Sequence, residues 1–172
     1  MSSAIDRLDD RLDEAWEKLR GVPALDRLFY TASEAADFSV LWHTLGVVQA
    51  VIEDDPRIAI AVSAALGAES ALINGPVKSL FRRSRPVHDG PRPHNLRQPK
   101  TSSFPSGHAS AAMVAAAMLS RNGGGPLWYG LGAIVATSRI HVRIHHGSDV
   151  VGGVVAGVAL GALARRIADS LT

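Results

Sequence analysis

Long runs of uncharged, mostly apolar residues dominate the pattern along this chain. Five stretches, residues 39–52, 58–77, 105–120, 122–138 and 150–164, hold 82 residues and one formal charge, Glu69. A helix on the surface of a soluble protein carries charge on one face, and these stretches carry it on none. Each stretch approaches the ~20 residues that a membrane crossing requires. The pattern therefore predicts an all-α integral membrane bundle of about five short transmembrane helices, in preference to a buried soluble core.

Proline and glycine mark the ends of these helices. The predicted helices cover about 38–52, 57–77, a segment from near Ser106 to before Asn122, then 126–142 and 148–168. Pro56 separates the first two helices, because the residue before a proline disfavours the helical conformation. The proline-rich, basic segment from Pro86 to Pro105 is expected to be a loop. We expect residues 39–172 to form one transmembrane domain.

Residues 1–38 have a different pattern and are predicted to form an amphipathic N-terminal helical segment. One helical face carries Ile5, Leu8, Leu12, Trp16 and Leu19. A second amphipathic stretch covers roughly 24–37. The first twenty residues contain six acidic side chains and no apolar core of a secretory signal. Because this polar face is acidic, we expect the segment to pack on the protein or on a second copy rather than on lipid.

A row of glycines indicates how the last helix packs. Gly153, Gly157 and Gly161 recur every four residues, and Asp149 lies one turn before them on the same row. Small residues in such a row let a neighbouring helix approach closely within a membrane. We therefore expect this face, with Asp149, to point into the bundle.

Composition and net charge exclude several classes of protein. The chain has no cysteine, so a disulfide scaffold, a cysteine-based zinc site and a thiol nucleophile are excluded. Its formal net charge is only +2, which is too balanced for a protein whose affinity rests on neutralising nucleic-acid phosphates. We expect no nucleic-acid partner.

Three polar clusters lie at the ends of the apolar stretches. They cover residues 78–86, 105–108 and 138–149. Counting the predicted crossings places all three on one face of the membrane. Taken singly each cluster has a simpler explanation, such as a basic flank beside a membrane helix. Their convergence is what an active site requires.

The residues of these clusters suit phosphoryl transfer. Lys78, Arg85 and Arg139 supply fixed positive charge, and the arginine fork matches phosphate oxygens. Ser106 and Gly107 stand at a predicted helix start, where free N–H groups favour an anion.

Two histidines and an aspartate complete this chemistry. Asp149 can hold a proton on one nitrogen of His145 and leave the other nitrogen as a nucleophile, while His108 can protonate a leaving alkoxide. The inventory predicts a phosphohistidine intermediate with no metal and no cofactor. The alternative is a metal site built from His141, His145 and Asp149, which are spaced four residues apart.

The three clusters identify a family. Lys78…Arg85-Pro86, Pro105-Ser106-Gly107-His108 and Ser138-Arg139…His145…Asp149 match K-x6-RP, PSGH and SR-x5-H-x3-D in spacing and order. The chain thereby resembles the type 2 phosphatidic acid phosphatase superfamily over about residues 70 to 170. The resemblance implies phosphate binding by five residues, namely Lys78, Arg85, Ser106, Gly107 and Arg139. It implies that His145 is the nucleophile, His108 the general acid and Asp149 the orienting partner. The short, lipid-facing chain favours the membrane phosphatase branch over the large soluble haloperoxidases.

The resemblance also limits the class of substrate, which is expected to be a lipid phosphate. Fourteen Lys and Arg residues fall on the predicted active-site side and four on the other. The positive-inside rule therefore predicts a multi-pass protein of the plasma membrane with its active site facing the cytoplasm. The short Ala/Arg/Gly-rich body is similar to the actinobacterial group that acts on decaprenylphosphoryl-5-phosphoribose in cell-wall precursor synthesis. The alternatives are undecaprenyl diphosphate, phosphatidic acid and phosphatidylglycerol phosphate. A homo-oligomer remains open.

Two further alternatives remain. A non-catalytic membrane subunit that binds anionic lipid would need only the cations, so the complete histidine and aspartate set argues against it. Glu69, the one charge within the apolar stretches, either ties its helix to a neighbour through a hydrogen bond or forms a polar point in the groove for the lipid.

Overall fold

The chain folds as a bundle of helices. The computed structural model describes residues 3–87, 96 and 99–171, and all regular structure within these ranges is helical. This confirms the all-α prediction. The seven α-helices of the described part are α1 (Ala4–Glu17), α2 (Pro23–Ala35), α3 (Val40–Ile52), α4 (Pro56–Leu72), α5 (Gly107–Leu119), α6 (Gly125–His141) and α7 (Gly147–Ser170). The predicted ends of α5, α6 and α7 agree with these bounds to within about two residues.

The helix predicted over 57–77 is not regular to its end. After Leu72 the chain continues as a π-helical turn, Ile73–Val77, which contains Pro76. Proline has no N–H and its ring clashes with the preceding turn, so a regular α-helix cannot continue there. The loop predicted between Pro86 and Pro105 is non-helical at its described positions. Residues 88–95, 97 and 98 of that prediction lie outside the described residues.

Helix α5 forms the centre of the bundle. Every residue from Ala109 to Leu119 is buried, and α4, α6 and α7 pack around the helix. The closest approach is to the glycine row of α7, as predicted. A Cβ on Gly157 would lie 2.4 Å from the carbonyl oxygen of Ser110, which no real contact allows. Glycine is therefore required for the two backbones to meet.

The outer surface of α7 is apolar. Val151, Val155 and Val158 are 58, 64 and 48% exposed, while the glycines of the opposite face are buried. A helix of a soluble protein shows the reverse arrangement, with large apolar residues inside. Small residues inside and branched apolar residues outside suit a helix surrounded by lipid.

The lengths of the helices limit which of them can cross a membrane alone. In the described residues, Pro56–Val77 and Gly147–Ser170 are long and apolar enough. A third span results if α2 and the segment Asp37–Ile52, which meet at a 64° bend, act together. Helices α5 and α6, with 13 and 17 residues, are shorter than the ~20 that a full crossing needs. The figure of about five crossings stays a prediction.

The N-terminal helices pack on the body of the bundle, and α1 does so through the predicted face only from Leu12 onward. Ile5 and Leu8 are 56 and 51% exposed, whereas Asp9 is buried. Leu12 meets Gly147 at the start of α7, and Trp16 donates a hydrogen bond to Nδ1 of His141. The apolar stripe was a poor guide at its first two positions because ionic contacts of Asp9 turn that side of α1 inward.

Candidate active site

The three polar clusters meet in one cavity of about 530 Å³. Six of the eight predicted site residues line it, namely Lys78, Arg85, Gly107, His108, Arg139 and His145. The other two, Ser106 and Asp149, are fully buried behind this lining. Segments that are distant in sequence thus bring three cationic side chains, two histidines and the start of a helix to a single space.

A sharp turn between α6 and α7 places His145. Helix α6 ends at His141, and Arg143 then adopts a left-handed conformation with φ of 52°. The backbone N–H groups of Ile144 and His145 both donate to the carbonyl oxygen of Arg139 at 3.1 Å. The chain therefore folds back beneath Arg139, and the imidazole of His145 enters the cavity just before α7 begins.

The contacts of the His145 ring assign its two nitrogens. Arg85 Nη1 lies 3.1 Å from Nε2, and an arginine can only donate, so Nε2 carries a lone pair. Its proton is then on Nδ1, which lies 3.6 Å from Asp149 Oδ2. Burial lowers the pKa of His145 to about 3, so the ring is neutral at physiological pH. An unprotonated Nε2 is what a nucleophile requires.

The carboxylate of Asp149 is held on both of its oxygens. Oδ2 accepts the backbone N–H of His146 at 2.8 Å, and Oδ1 accepts Arg83 Nη1 at 2.7 Å. A buried carboxylate needs such partners to remain charged. Sequence reasoning assigned no role to Arg83, whose partner is 66 residues away.

The second histidine of the cavity, His108, also faces a carboxylate. Its Nε2 lies 3.0 Å from Oδ1 of Asp37. Asp37 stands at the bend between α2 and α3, where Phe38 and Ser39 have φ of 54° and 60°. This carboxylate can accept the N–H of Nε2 and so orient the ring for proton transfer. Sequence reasoning missed Asp37 because a bend more than seventy residues away has no local signature.

Lys78 follows the π turn and points to the start of α5. Its Nζ donates to Asn74 Oδ1 at 2.9 Å. A Cβ on Gly107 would lie 3.6 Å from the same Nζ, so the ammonium adjoins the first residue of α5. Burial, followed by the positive charge of Arg85, lowers the pKa of Lys78 to about 8. Asn74 was missed, although its spacing of four residues from Lys78 on one helix could have revealed it.

The two predicted phosphate-binding arginines are held by neutral partners in the described contacts. Arg85 donates to the carbonyl oxygens of Ile144, Thr101 and Ser102 at 3.0–3.2 Å. Arg139 is buried, and its Nη1 donates to the hydroxyl of Ser33 on α2. Hydrogen bonds to neutral groups orient the guanidinium of Arg85 without cancelling its charge.

Ser106 lies deeper than the motif suggests. Its backbone N–H donates to the carbonyl oxygen of Asp149 at 2.9 Å and is therefore not directed at the cavity. Its buried hydroxyl has no hydrogen-bond partner among the described residues. Ser106 thus joins the start of α5 to α7 and keeps one donor for a ligand.

The three side chains of the alternative metal site do not converge. The Nε2 of His141 lies 2.8 Å from Oδ1 of Asp26, and its Nδ1 accepts from Trp16. Both nitrogens of His141 are thus used in holding α1 and α2 to α6. In the described part of the chain, no group of three His, Cys, Asp or Glu side chains could hold a metal ion.

Glu69 has features of both roles considered for it. Its carboxylate accepts a hydrogen bond from the Ser110 hydroxyl, which joins α4 to α5. It also lines the cavity, beside a polar wall formed by Ser39, His43, Ser70 and Asn74. This wall presents donors and acceptors of hydrogen bonds to whatever enters the cavity.

A family model described as the PAP2 superfamily matches residues 58–172. This chain belongs to the PAP2 superfamily. The match confirms the resemblance carried by the three motifs, and with the apolar helices it makes the chain a membrane protein.

Curated relatives share part of this PAP2 chain. A Mycobacterium tuberculosis protein named decaprenylphosphoryl-5-phosphoribose phosphatase is 41% identical over 95 residues, 55% of this chain and 51% of the relative. The protein of the same name from Mycolicibacterium smegmatis is 32% identical over 124 residues, 70% of this chain and 67% of the relative. The aligned part of the chain thus spans about half the length of the first relative.

A solved structure supports the fold. The crystal structure of a transmembrane PAP2 type phosphatidylglycerolphosphate phosphatase from Bacillus subtilis superposes with a TM-score of 0.74. The superposition covers 99% of this chain and 89% of that chain at 21% identity. At this identity the likeness establishes the helical arrangement alone.

Proposed function

We propose that this PAP2 chain is a membrane-embedded phosphatase that hydrolyses a phosphate ester on a lipid through a phosphohistidine. The observation that carries the proposal is the pair of histidines in one cavity. His145 presents an unprotonated Nε2 beside Arg85 and a second nitrogen toward Asp149, while His108 faces Asp37. One histidine is thus suited to attack and the other to proton transfer.

The proposed reaction has two steps. Nε2 of His145 attacks phosphorus, forming an N–P bond as the P–O bond to the lipid moiety breaks, and the leaving oxygen takes the proton of His108. His108 then accepts a proton from a water molecule that attacks phosphorus, breaking the N–P bond and releasing phosphate. Lys78, Arg85 and Arg139 would neutralise the three non-bridging oxygens throughout.

The shape and polarity of the cavity support a phosphorylated sugar as the part of the lipid that enters. The wall containing Glu69, Ser70 and Asn74 offers hydrogen-bonding partners for hydroxyl groups. An acyl chain cannot form hydrogen bonds with these groups. The names of the mycobacterial relatives agree with this chemistry, and we propose decaprenylphosphoryl-5-phosphoribose as the first substrate to test.

A second cavity supports a substrate that carries two phosphates. It has a volume of about 440 Å³, adjoins the first cavity, and shares Arg85 and Lys100 with it. Arg82 adds a further positive charge. A phosphodiester that links a sugar to a polyprenyl chain would be attracted there while the terminal phosphate occupies the catalytic end.

We further propose that the site faces the cytoplasm from the plasma membrane. Fourteen of the eighteen Lys and Arg residues belong to the segments on the active-site side. Arg121 of the other side forms an ion pair with Asp169 near the end of α7, far along the bundle from His145. The positive-inside rule favours this orientation.

The experiment is phosphate release by the purified protein from a substrate panel. The panel contains a polyprenylphosphoryl phosphoribose, phosphatidic acid, phosphatidylglycerol phosphate and undecaprenyl diphosphate. We expect the first to give the highest kcat/KM, and His145→Ala to abolish turnover at an unchanged melting temperature. A folded His145→Ala protein with near-normal activity would refute the phosphohistidine. Binding of anionic lipid without release from any member would indicate a non-catalytic subunit.

A further inference from the structure

Arg83 joins two buried carboxylates at the edge of the site. Its Nη1 donates to Oδ1 of Asp149 at 2.7 Å, and its Nη2 donates to Oδ2 of Asp9 at 2.5 Å. Asp149 and Asp9 are 0 and 5% exposed. Arg83 falls between the lysine and arginine of the first motif, and the motif gives it no role. The fixed fork of a guanidinium suits it to hold two carboxylates at once.

Asp9 reaches this position from α1 and is tied to the start of α7. The backbone N–H of Ser148 donates to Oδ1 of Asp9 at 2.7 Å, and the Ser148 hydroxyl donates to Oδ2 at 2.8 Å. Arg83 Nη1 also donates to this hydroxyl at 2.6 Å. Both oxygens of a nearly buried carboxylate thus have hydrogen-bond partners, which fix its position.

The contact with Arg83 determines which oxygen of Asp149 faces His145. The last torsion of an aspartate is loosely restrained, so its carboxylate needs outside contacts to hold one orientation. Arg83 takes Oδ1, and Oδ2 remains for the His146 backbone N–H and for Nδ1 of His145. Without Arg83 the carboxylate keeps the His146 N–H on Oδ2 but loses the contact that fixes Oδ1, so its orientation toward the imidazole is less restrained.

We propose that Arg83 and Asp9 are positioning residues that act through Asp149 on the nucleophile His145. The N-terminal helix α1 is then a working part of the active site, although it precedes residues 58–172, which match the family. This inference rests on the proposed function. It differs from a purely structural role, in which the same contacts would only fasten α1 to the bundle.

The test compares two carboxylates of α1 in the full-length protein. Asp9→Asn is isosteric and weakens the contact to Arg83. Asp13→Asn, one turn later, is the matched control, because Asp13 pairs with Arg20 and is more than half exposed. We expect Asp9→Asn to lower kcat about 10- to 100-fold, as the loss of outer contacts to catalytic groups does. KM should stay within about twofold, since the phosphate-binding cations are untouched, and Asp13→Asn should leave both constants within the same margin.

A double-mutant cycle separates positioning from mere support. In an Asp149→Asn background, Asp9→Asn should cost less than about twofold, because its effect is transmitted by the carboxylate already removed. A multiplicative loss in that background, or a folded Asp9→Asn protein with wild-type kcat, would overturn the inference. Arg83→Lys serves as the second variant should Asp9→Asn not fold, since an ammonium is a point charge that lacks the fork.

The two proposals fail in distinguishable ways. If phosphate release by the wild type does not depend on His145, the proposed function itself is wrong. If release depends on His145 while the Asp9 and Arg83 variants keep full kcat, only the positioning role is wrong.

Discussion

The contact between α5 and α7 offers a graded test of how packing positions the site. The glycine row of α7 runs along α5 from the catalytic end toward the other end of the bundle. A Cβ on Gly153 would lie 2.4 Å from the carbonyl oxygen of Ser106 and 2.9 Å from Cβ of Ala109. The first distance is about 1 Å shorter than a van der Waals contact. Gly153→Ala should therefore push the start of α5 away from α7.

This displacement sets the expected magnitude. Overpacking of a well-packed core costs about 1–3 kcal/mol, and exchange of glycine for alanine in a helix returns about 1 kcal/mol. Gly130→Ala is the control, because nothing lies within 4 Å of its added Cβ and only the gain applies. The two variants should therefore differ by about 1–3 kcal/mol in unfolding free energy. A shift of about 1 Å between Gly107 and His145 should lower kcat up to about 100-fold.

A second glycine of α7, farther from the active site than Gly153, provides the comparison that could refute this reasoning. Gly161 lies eight residues beyond Gly153, or ~12 Å along the axis, and its Cβ would meet Cβ of Ala117 at 2.8 Å. Gly161→Ala should destabilise the protein while leaving kcat near the wild-type value. Denaturant titration in detergent and phosphate release from the same preparations measure both quantities. Equal loss of activity in the Gly153 and Gly161 variants, or full activity in a destabilised Gly153→Ala, would refute the reasoning.

Three further predictions follow from the cavity. Because the pKa of Lys78 is about 8, kcat/KM should fall as pH rises through 8, where the ammonium loses its proton, and Lys78→Arg should remove this alkaline limb from a pH–rate profile. Glu69→Gln should fold normally yet raise KM for a phosphosugar lipid about tenfold, which corresponds to the loss of one hydrogen bond worth ~1.4 kcal/mol, while KM for phosphatidic acid stays unchanged. Equal changes of KM for both lipids would leave Glu69 only its hydrogen bond to Ser110. Excess EDTA should not reduce activity, because the cations of the cavity supply the positive charge that a metal ion would supply. Vanadate should inhibit, because it mimics the transition state of phosphoryl transfer. Recovery of EDTA-treated enzyme on addition of zinc or magnesium would contradict the first expectation.

The bundle could be predicted well from the sequence because helices in contact with lipid must be apolar and uncharged, and this property is visible in their composition. Uncharged runs and the row of Gly153, Gly157 and Gly161 are local signals, and the structure buries that row against α5 as predicted. The motif spacing identified the side chains that line the cavity. All of these predictions depend on patterns among residues that are close together along the chain.

The missed features depend on contacts between distant segments. Asp37 reaches His108 only because the chain bends between α2 and α3, and Asp9 is buried only because Arg83 comes to it from 74 residues away. Neither carboxylate differs in sequence from an ordinary solvated aspartate. The same contacts explain why the apolar stripe of α1 predicted the wrong face at Ile5 and Leu8.

The direction of the Lys78 side chain depends on the number of residues in the π turn that precedes it. A π turn closes its hydrogen bond over five residues instead of four, so Ile73–Val77 holds one residue more than a regular turn would. Loss of Pro76 would remove both the extra residue and the proline that breaks the helix, so α4 could continue without interruption. It would also rotate Lys78 by about 100° around the axis and draw it back by ~1.5 Å. A shorter, more regular helix would thus carry its ammonium away from Gly107, and a one-residue deletion in this segment would be equivalent to losing the lysine.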